Sequence, residues 1–364
     1  MINRTVSFKA MLLAGSIAAF PLAQASAAAD DAVQPVDYVA GSWMLYRHDY
    51  VTPEGRVIDT RANGISHSEG QGYGMLIAVI ADDRKSFERI WGWTKANLYV
   101  RGDNLAAWRW DPAATPHVAD TNNATDGDLL IGWALAKAAH VWKDSDYGRD
   151  AKRIAEEIAD KTVVDTAFGK ALLPGERGFG PTDQPDGPVV NLSYWVYPAI
   201  AELGVASSRF PADELIRTGL SLTQTARFGP AALPADWISL KGKTPVPASA
   251  YPAEFGHDAI RIPLYLAWYS RDHSDLLTPF ADAWRDTNNG AASVIELANA
   301  TTLSQMPEAG YRAVTELVGC SLGRETAAPT AAAFETTDYY PSTLHLLSLV
   351  AVAERYPRCL PDTQ

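Results

Sequence analysis

Cysteine is almost missing from the 364-residue chain: Cys320 and Cys359 are the only two. That excludes a small fold stapled by several disulfides and a site built from thiolates, and it leaves one bridge or two separate thiols. Histidines such as His67, His117, His140, His257, His273 and His345 are scattered, with no His-Glu-x-x-His pair, and Asp126-Gly127-Asp128 is too short for a calcium loop; no metal or cofactor is called for. Past the N-terminus no run reaches the roughly 18 apolar residues of a membrane span. Basic residues are in deficit, 31 against 43 acidic for a formal charge of −12. Such a chain repels polyanions, so nucleic acid and anionic lipid are poor partners and a neutral polymer stays open. The glycine-rich segment at 69–74 lacks the Lys-Ser/Thr ending of a phosphate loop, and no Gly-x-Ser-x-Gly elbow occurs.

The N-terminus reads as an export signal. Arg4 and Lys9 precede an apolar stretch from Ala10 to Phe20 and the small-residue run Ala23-Gln24-Ala25-Ser26-Ala27, the pattern of a secretory peptide spanning residues 1–27. Its removal takes away two basic and no acidic groups, making the formal charge −14. Residues 28–364 are expected to form a single soluble domain, periplasmic or secreted. Export would expose both cysteines to an oxidising compartment, where closing a loop of about 40 residues is worth about 4 kcal/mol in the chain-entropy model.

With 47% apolar residues, the chain can bury a large core, and its periodicity is helical. Helices are expected over 36–49, 69–82, 84–98, 126–142, 146–160, 190–204, 211–227, 256–270, 273–287, 308–319 and 341–356, with a further short one near 292–299. Segments 84–98 and 146–160 carry one charged face, whereas 129–141 and 194–203 are nearly uncharged and should be covered on both sides. Exposed and covered helices alternating along one chain fit hairpins in two layers around an axis, an all-α toroid. Long connections at 99–125, 170–189 and 228–255 would form its rim.

Three acidic residues stand at the starts of covered helices. Glu69 lies in Ser66-His67-Ser68-Glu69-Gly70-Gln71-Gly72-Tyr73-Gly74-Met75, where glycines costing about 1 kcal/mol each in a helix imply close approach of a neighbour or ligand. It either complements the positive helix end or holds a proton for donation. Asp126, in Asn122-Asn123-Ala124-Thr125-Asp126-Gly127-Asp128, either caps its helix, as Thr125 could, or meets a ligand, while Asp128 reads as structural. Asp258 precedes Arg261 by three residues, which fits a local ion pair or a base kept ionised by the guanidinium. Aromatics are plentiful, 11 Trp and 15 Tyr, and a ring lying under a sugar could contribute about 2 kcal/mol by burial.

These three motifs, in this order, resemble family 8 of the glycoside hydrolases. Ala124-Thr125-Asp126-Gly127-Asp128-Leu129-Leu130-Ile131-Gly132-Trp133-Ala134-Leu135 is similar to the family signature, departing at Gly132 and Ala136. The segment from Val57 to Tyr73 looks most like that of periplasmic endo-β-1,4-glucanases accompanying bacterial cellulose synthesis. The resemblance implies an (α/α)6 six-hairpin barrel with an open cleft that cuts cellulose internally with inversion. It implies Glu69 as general acid, Asp258 as general base and Asp126 as the carboxylate at the cleavage point. Arg261 would stand beside the base and Tyr194 near the attacking water, with Trp108, Trp195, Tyr339 and Tyr340 against sugar rings. The implied partners are the β-glucan chain and the cellulose synthesis and export machinery. Chitosan, xylan and mixed-linkage glucan remain as alternative substrates, and a polysaccharide lyase or a non-catalytic glycan binder remain as alternative classes.

Overall fold

Proline sets where several helices of this protein begin. In the computed structural model, which describes residues 35–288, 291–324 and 334–359, the described α-helices are α1 (Pro35–Tyr50), α2 (Ser68–Ile80), α3 (Arg84–Asn97), α4 (Thr125–Trp142), α5 (Ser145–Lys161), α6 (Tyr197–Ala206), α7 (Ala212–Thr225), α8 (Arg261–Tyr269), α9 (Thr278–Asn288), α10 (Ala309–Ser321) and α11 (Tyr339–Arg355). Pro198, Pro263, Pro279 and Pro341 occupy the first turns of α6, α8, α9 and α11. A proline ring is tolerated there because those N–H groups have no partner within the helix. Periodicity alone therefore starts α6 and α8 too early: Val189–Val190 is strand and Leu192–Tyr194 a 3-10 turn, while Asp258 lies in the turn before α8. The export signal expected at 1–27 lies outside the described residues.

The helix expected near 292–299 is a strand instead. Ser293–Glu296 pairs with Thr301–Gln305 and with Glu254–Phe255, because Val294 and Ile295 are branched and buried and Ala300 turns the chain at φ 60°. Other short antiparallel pairs lie in or beside the long connections: Ser66–His67 with Arg109–Trp110, Val163–Thr166 with Gly169–Leu172, and Ile238–Ser239 between Val189–Val190 and Val246–Pro247.

Helices α2, α4, α6, α8 and α11 are buried along most of their lengths and pack in that succession, with α11 returning to α2. Around them α3, α5 and α7 turn charged faces outward. This is the (α/α)6 toroid, an all-α architecture with little sheet, and the described residues form one unit. Its tightest inner contact is α2 on α4. A Cβ on Gly72 would stand 2.6 Å from Leu130 Cβ, and one on Gly127 would stand 2.2 Å from Ser68 Oγ, so glycine lets the two backbones meet. Cys320 and Cys359 are bonded, with Cα atoms 6.3 Å apart, joining α10 to the segment after α11. Among the described residues no helix is long and apolar enough to cross a membrane.

Candidate active site

The starts of α2, α4 and α8 converge at one end of the ring. At α2 the cap is His67, whose Nδ1 accepts the Gly70 N–H at 3.0 Å, so the imidazole takes the role usually filled by Ser or Asp. Gln71 ties the same turn down, accepting from Val57 N at 2.6 Å and donating to Thr94 Oγ1 at 2.8 Å. Ser68 N donates to Trp108 O at 3.0 Å, so the rim segment around Trp108 is fastened to the residue before Glu69.

At α4 the helix has no side-chain cap: Ala124 is the cap residue, and Thr125 Oγ1 donates to Leu173 O at 2.7 Å instead. Asp126 Oδ1 accepts from Gly127 N at 2.8 Å, while Oδ2 turns to the centre. Asp128 is buried and accepts from Ala106 N at 2.8 Å and Asn123 Nδ2 at 2.9 Å, which fixes the rim to the helix. Burial pushes its carboxyl up to about 8.

Arg261, 3% exposed, is the hub. Its Nη1 contacts Glu69 Oε1 and lies 3.3 Å from Asp126 Oδ2; its Nη2 lies 3.0 Å from Asp258 Oδ1 and donates to Ser193 Oγ at 2.8 Å. Asp258 also accepts from Asn191 Nδ2 at 2.9 Å. Asp236 holds the turn that carries Asp258, accepting from Gly256 N at 2.8 Å and Ala259 N at 2.9 Å. The Glu69 and Asp258 side chains are 16% and 34% exposed.

One guanidinium is shared among three carboxylates. Desolvation raises Asp258 to about 7, with repulsion from Asp236 and Asp126 adding to it, and desolvation also raises Asp126 to about 7. The Asp258–Arg261 pair expected from their spacing forms, but the guanidinium is shared with Glu69 and Asp126.

The aromatic expectations divide. Tyr194 and Tyr340 flank the hub, with the guanidinium carbon 5.7 and 6.0 Å from their rings, and Tyr340 OH donates to His257 O at 2.7 Å. Trp108 lies on the rim, its Nε1 donating to Asp120 at 2.9 Å. Trp195 is 0% exposed and donates to Leu215 O, so it is core and contacts no sugar. Tyr339 is 1% exposed, packed edge-on to Tyr50 and His67, and stands behind Gly70 rather than in a cleft.

Residues 8–354 match the family described as glycosyl hydrolases family 8. The chain is a family 8 glycosyl hydrolase. A Novacetimonas hansenii protein named "Probable endoglucanase" is 37% identical over 323 residues, 87% of this chain and 92% of its own. The hydrolase also resembles the endo-beta-1,4-glucanase CMCax from Acetobacter xylinum, at 34% identity and TM-score 0.79 over 88% of this chain and 99% of that one. Cel10 from Klebsiella pneumoniae gives 33%, 0.78, 85% and 98%.

Sequence reasoning does not find Asn191, Ser193, Asp236 or Tyr265 in this hydrolase. Asn191 leaves a faint signal as the cap of a short turn, accepting from Ser193 N at 3.0 Å. Asp236 leaves none, since only tertiary folding brings it beneath Gly256. The stack of Phe179, Trp237 and Tyr251, with Trp237 4.5 Å from Tyr251 and 6.4 Å from Tyr194, is likewise assembled from separate loops.

Proposed function

We propose that the protein is an endo-β-1,4-glucanase that cuts internal bonds of cellulose with inversion. What carries this reading is the convergence of Glu69, Asp126 and Asp258 on Arg261 in a chain of this family. Glu69 gives a proton to the glycosidic oxygen as its bond to the anomeric carbon breaks. Asp258 takes a proton from the water whose oxygen bonds to that carbon from the opposite face, and solvent exchange restores both groups. Asp126 holds the sugar at the cleavage point, and Tyr194 lies beside the attacking water. Trp108 and Tyr340 offer ring faces to neighbouring sugars. Arg261 orients the acids with its two terminal nitrogens.

The setting completes the proposal. Residues 1–27 direct export and are removed, and the enzyme trims β-glucan in the periplasm beside the cellulose synthesis and export machinery. Reducing-end release and viscosity loss on carboxymethyl cellulose, chitosan, xylan and mixed-linkage glucan test it side by side. Fastest viscosity loss on carboxymethyl cellulose, with the α anomer released first from cello-oligosaccharides by NMR, is the expected result. No released reducing ends, or a β anomer appearing first, would remove the reading.

A further inference from the structure

The two carboxyl oxygens of Glu69 sit in unlike surroundings. Oε1 accepts from Tyr73 OH at 3.0 Å and also contacts Arg261 Nη1. Oε2 stands 3.9 Å from His67 Nδ1, beyond hydrogen-bond reach, and that nitrogen already accepts the Gly70 N–H at 3.0 Å. It has no hydrogen to offer. Tyr73 stands one helical turn after Glu69 on α2, and Tyr265 one turn after Arg261 on α8, so α2 brings Tyr73 and α8 brings Arg261 to Oε1.

The hydroxyls of Tyr73 and Tyr265 are 2.6 Å apart. Tyr73 has a single hydrogen and commits it to Glu69, so Tyr265 donates to Tyr73 and the chain runs one way, from Tyr265 through Tyr73 to Oε1. Both rings are buried, at 0% and 1% exposure, so bulk water does not compete for these bonds. Burial also raises both phenols, Tyr265 to about 12, which keeps both hydrogens in place at neutral pH.

We infer that Tyr73, backed by Tyr265, is a positioning residue that confines the acidic proton of Glu69 to Oε2. Oε1 accepts the Tyr73 hydrogen and faces the Arg261 guanidinium, so a proton there would set hydrogen against hydrogen, and the proton occupies the other oxygen. Each turnover then begins with the acid facing one way, instead of divided between two arrangements of which one is unproductive. The inference rests on Glu69 being the general acid.

Leaving-group dependence isolates this role. Cellopentaose needs its leaving oxygen protonated, whereas the dinitrophenolate of 2,4-dinitrophenyl β-cellotrioside departs without a proton. Tyr73→Phe should lower kcat for cellopentaose about 10- to 100-fold, a part of the roughly 100- to 10,000-fold that general acid catalysis supplies, with the aryl substrate losing less than about threefold. Tyr265→Phe, which keeps the Tyr73 bond, should lose less on cellopentaose than Tyr73→Phe does. Glu69→Gln serves as the benchmark and should show the same leaving-group pattern more strongly. Equal losses on both substrates would mean that Tyr73 only supports packing, and unchanged cellopentaose turnover would mean no role; either overturns the inference while an inactive Glu69→Gln leaves the acid assignment standing. Full cellopentaose turnover by Glu69→Gln would overturn both.

Discussion

Arg261 serves different acids with its two terminal nitrogens, Glu69 and Asp126 from Nη1 and Asp258 from Nη2. A lysine ammonium is a point charge on a flexible stem and cannot span these positions. Arg261→Lys should therefore cut kcat by at least about tenfold despite keeping the charge, because misplacing reacting groups is costly; wild-type turnover in a steady-state assay would contradict the hub. Glu69→Gln and Asp258→Asn should each lose about 100-fold or more in kcat on cellopentaose while still binding it in calorimetry. The three acids were legible because each stands in a contiguous motif at a helix start. Trp195 was not, since neighbours in the turn after Tyr194 point in different directions: Tyr194 reaches the hub, while Trp195 fills the space over Gly219. Asn191 and Asp236 act across the fold, and local spacing carries no trace of that.

Between helices, small residues decide how near α2 and α4 can come. An added methyl at Gly127 would meet Ser68 Oγ at 2.2 Å and Glu69 N at 2.6 Å, whereas at Gly132 it would meet only Leu203 and Ile154 side chains at 3.1 and 3.3 Å. Gly127→Ala should cost about 1–3 kcal/mol in urea unfolding, as overpacking does, and should also lower kcat because the displaced backbone is that of Glu69. Gly132→Ala should cost less in the same titration and leave kcat near wild type. An equal penalty at both positions would show that packing does not distinguish them. Helical periodicity located the elements well, and prolines account for most errors at their starts. The strand at Ser293–Glu296 escaped because a four-residue buried run has too few positions to separate a period of 2 from one of 3.6.

For the whole molecule, buried acids and buried imidazoles pull stability in opposite directions with pH. Asp126, Asp258 and Asp128 are raised to about 7, 7 and 8, so the unfolded chain gives up these protons first and their contribution falls as pH climbs toward 8. Burial lowers His257, and lowers His345 to about 4; the folded form then holds fewer protons there, and stability rises with pH until about 6.5, where the unfolded imidazole has titrated. Between about pH 6.5 and 8 the acids act alone, and Tm should fall as pH rises. Calorimetry at constant ionic strength checks this, and a flat or rising Tm would contradict the burial. Opening the Cys320–Cys359 bond frees a sequence separation of 39 residues, and replacing both by Ser should cost about 4 kcal/mol in the chain-entropy model, read as a lower urea midpoint.

The backbone bond from Ser68 N to Trp108 O, with the Ser66–His67 pairing to Arg109–Trp110 beside it, joins the rim to the start of α2. On the proposed reading, a sugar pressed on Trp108 loads the same short ladder that aims Glu69. Grip at a distance is then converted into alignment at the bond being cut, so trimming a cello-oligosaccharide from the Trp108 side would slow each turnover as well as weaken binding. The length of the substrate would thus be sensed as speed.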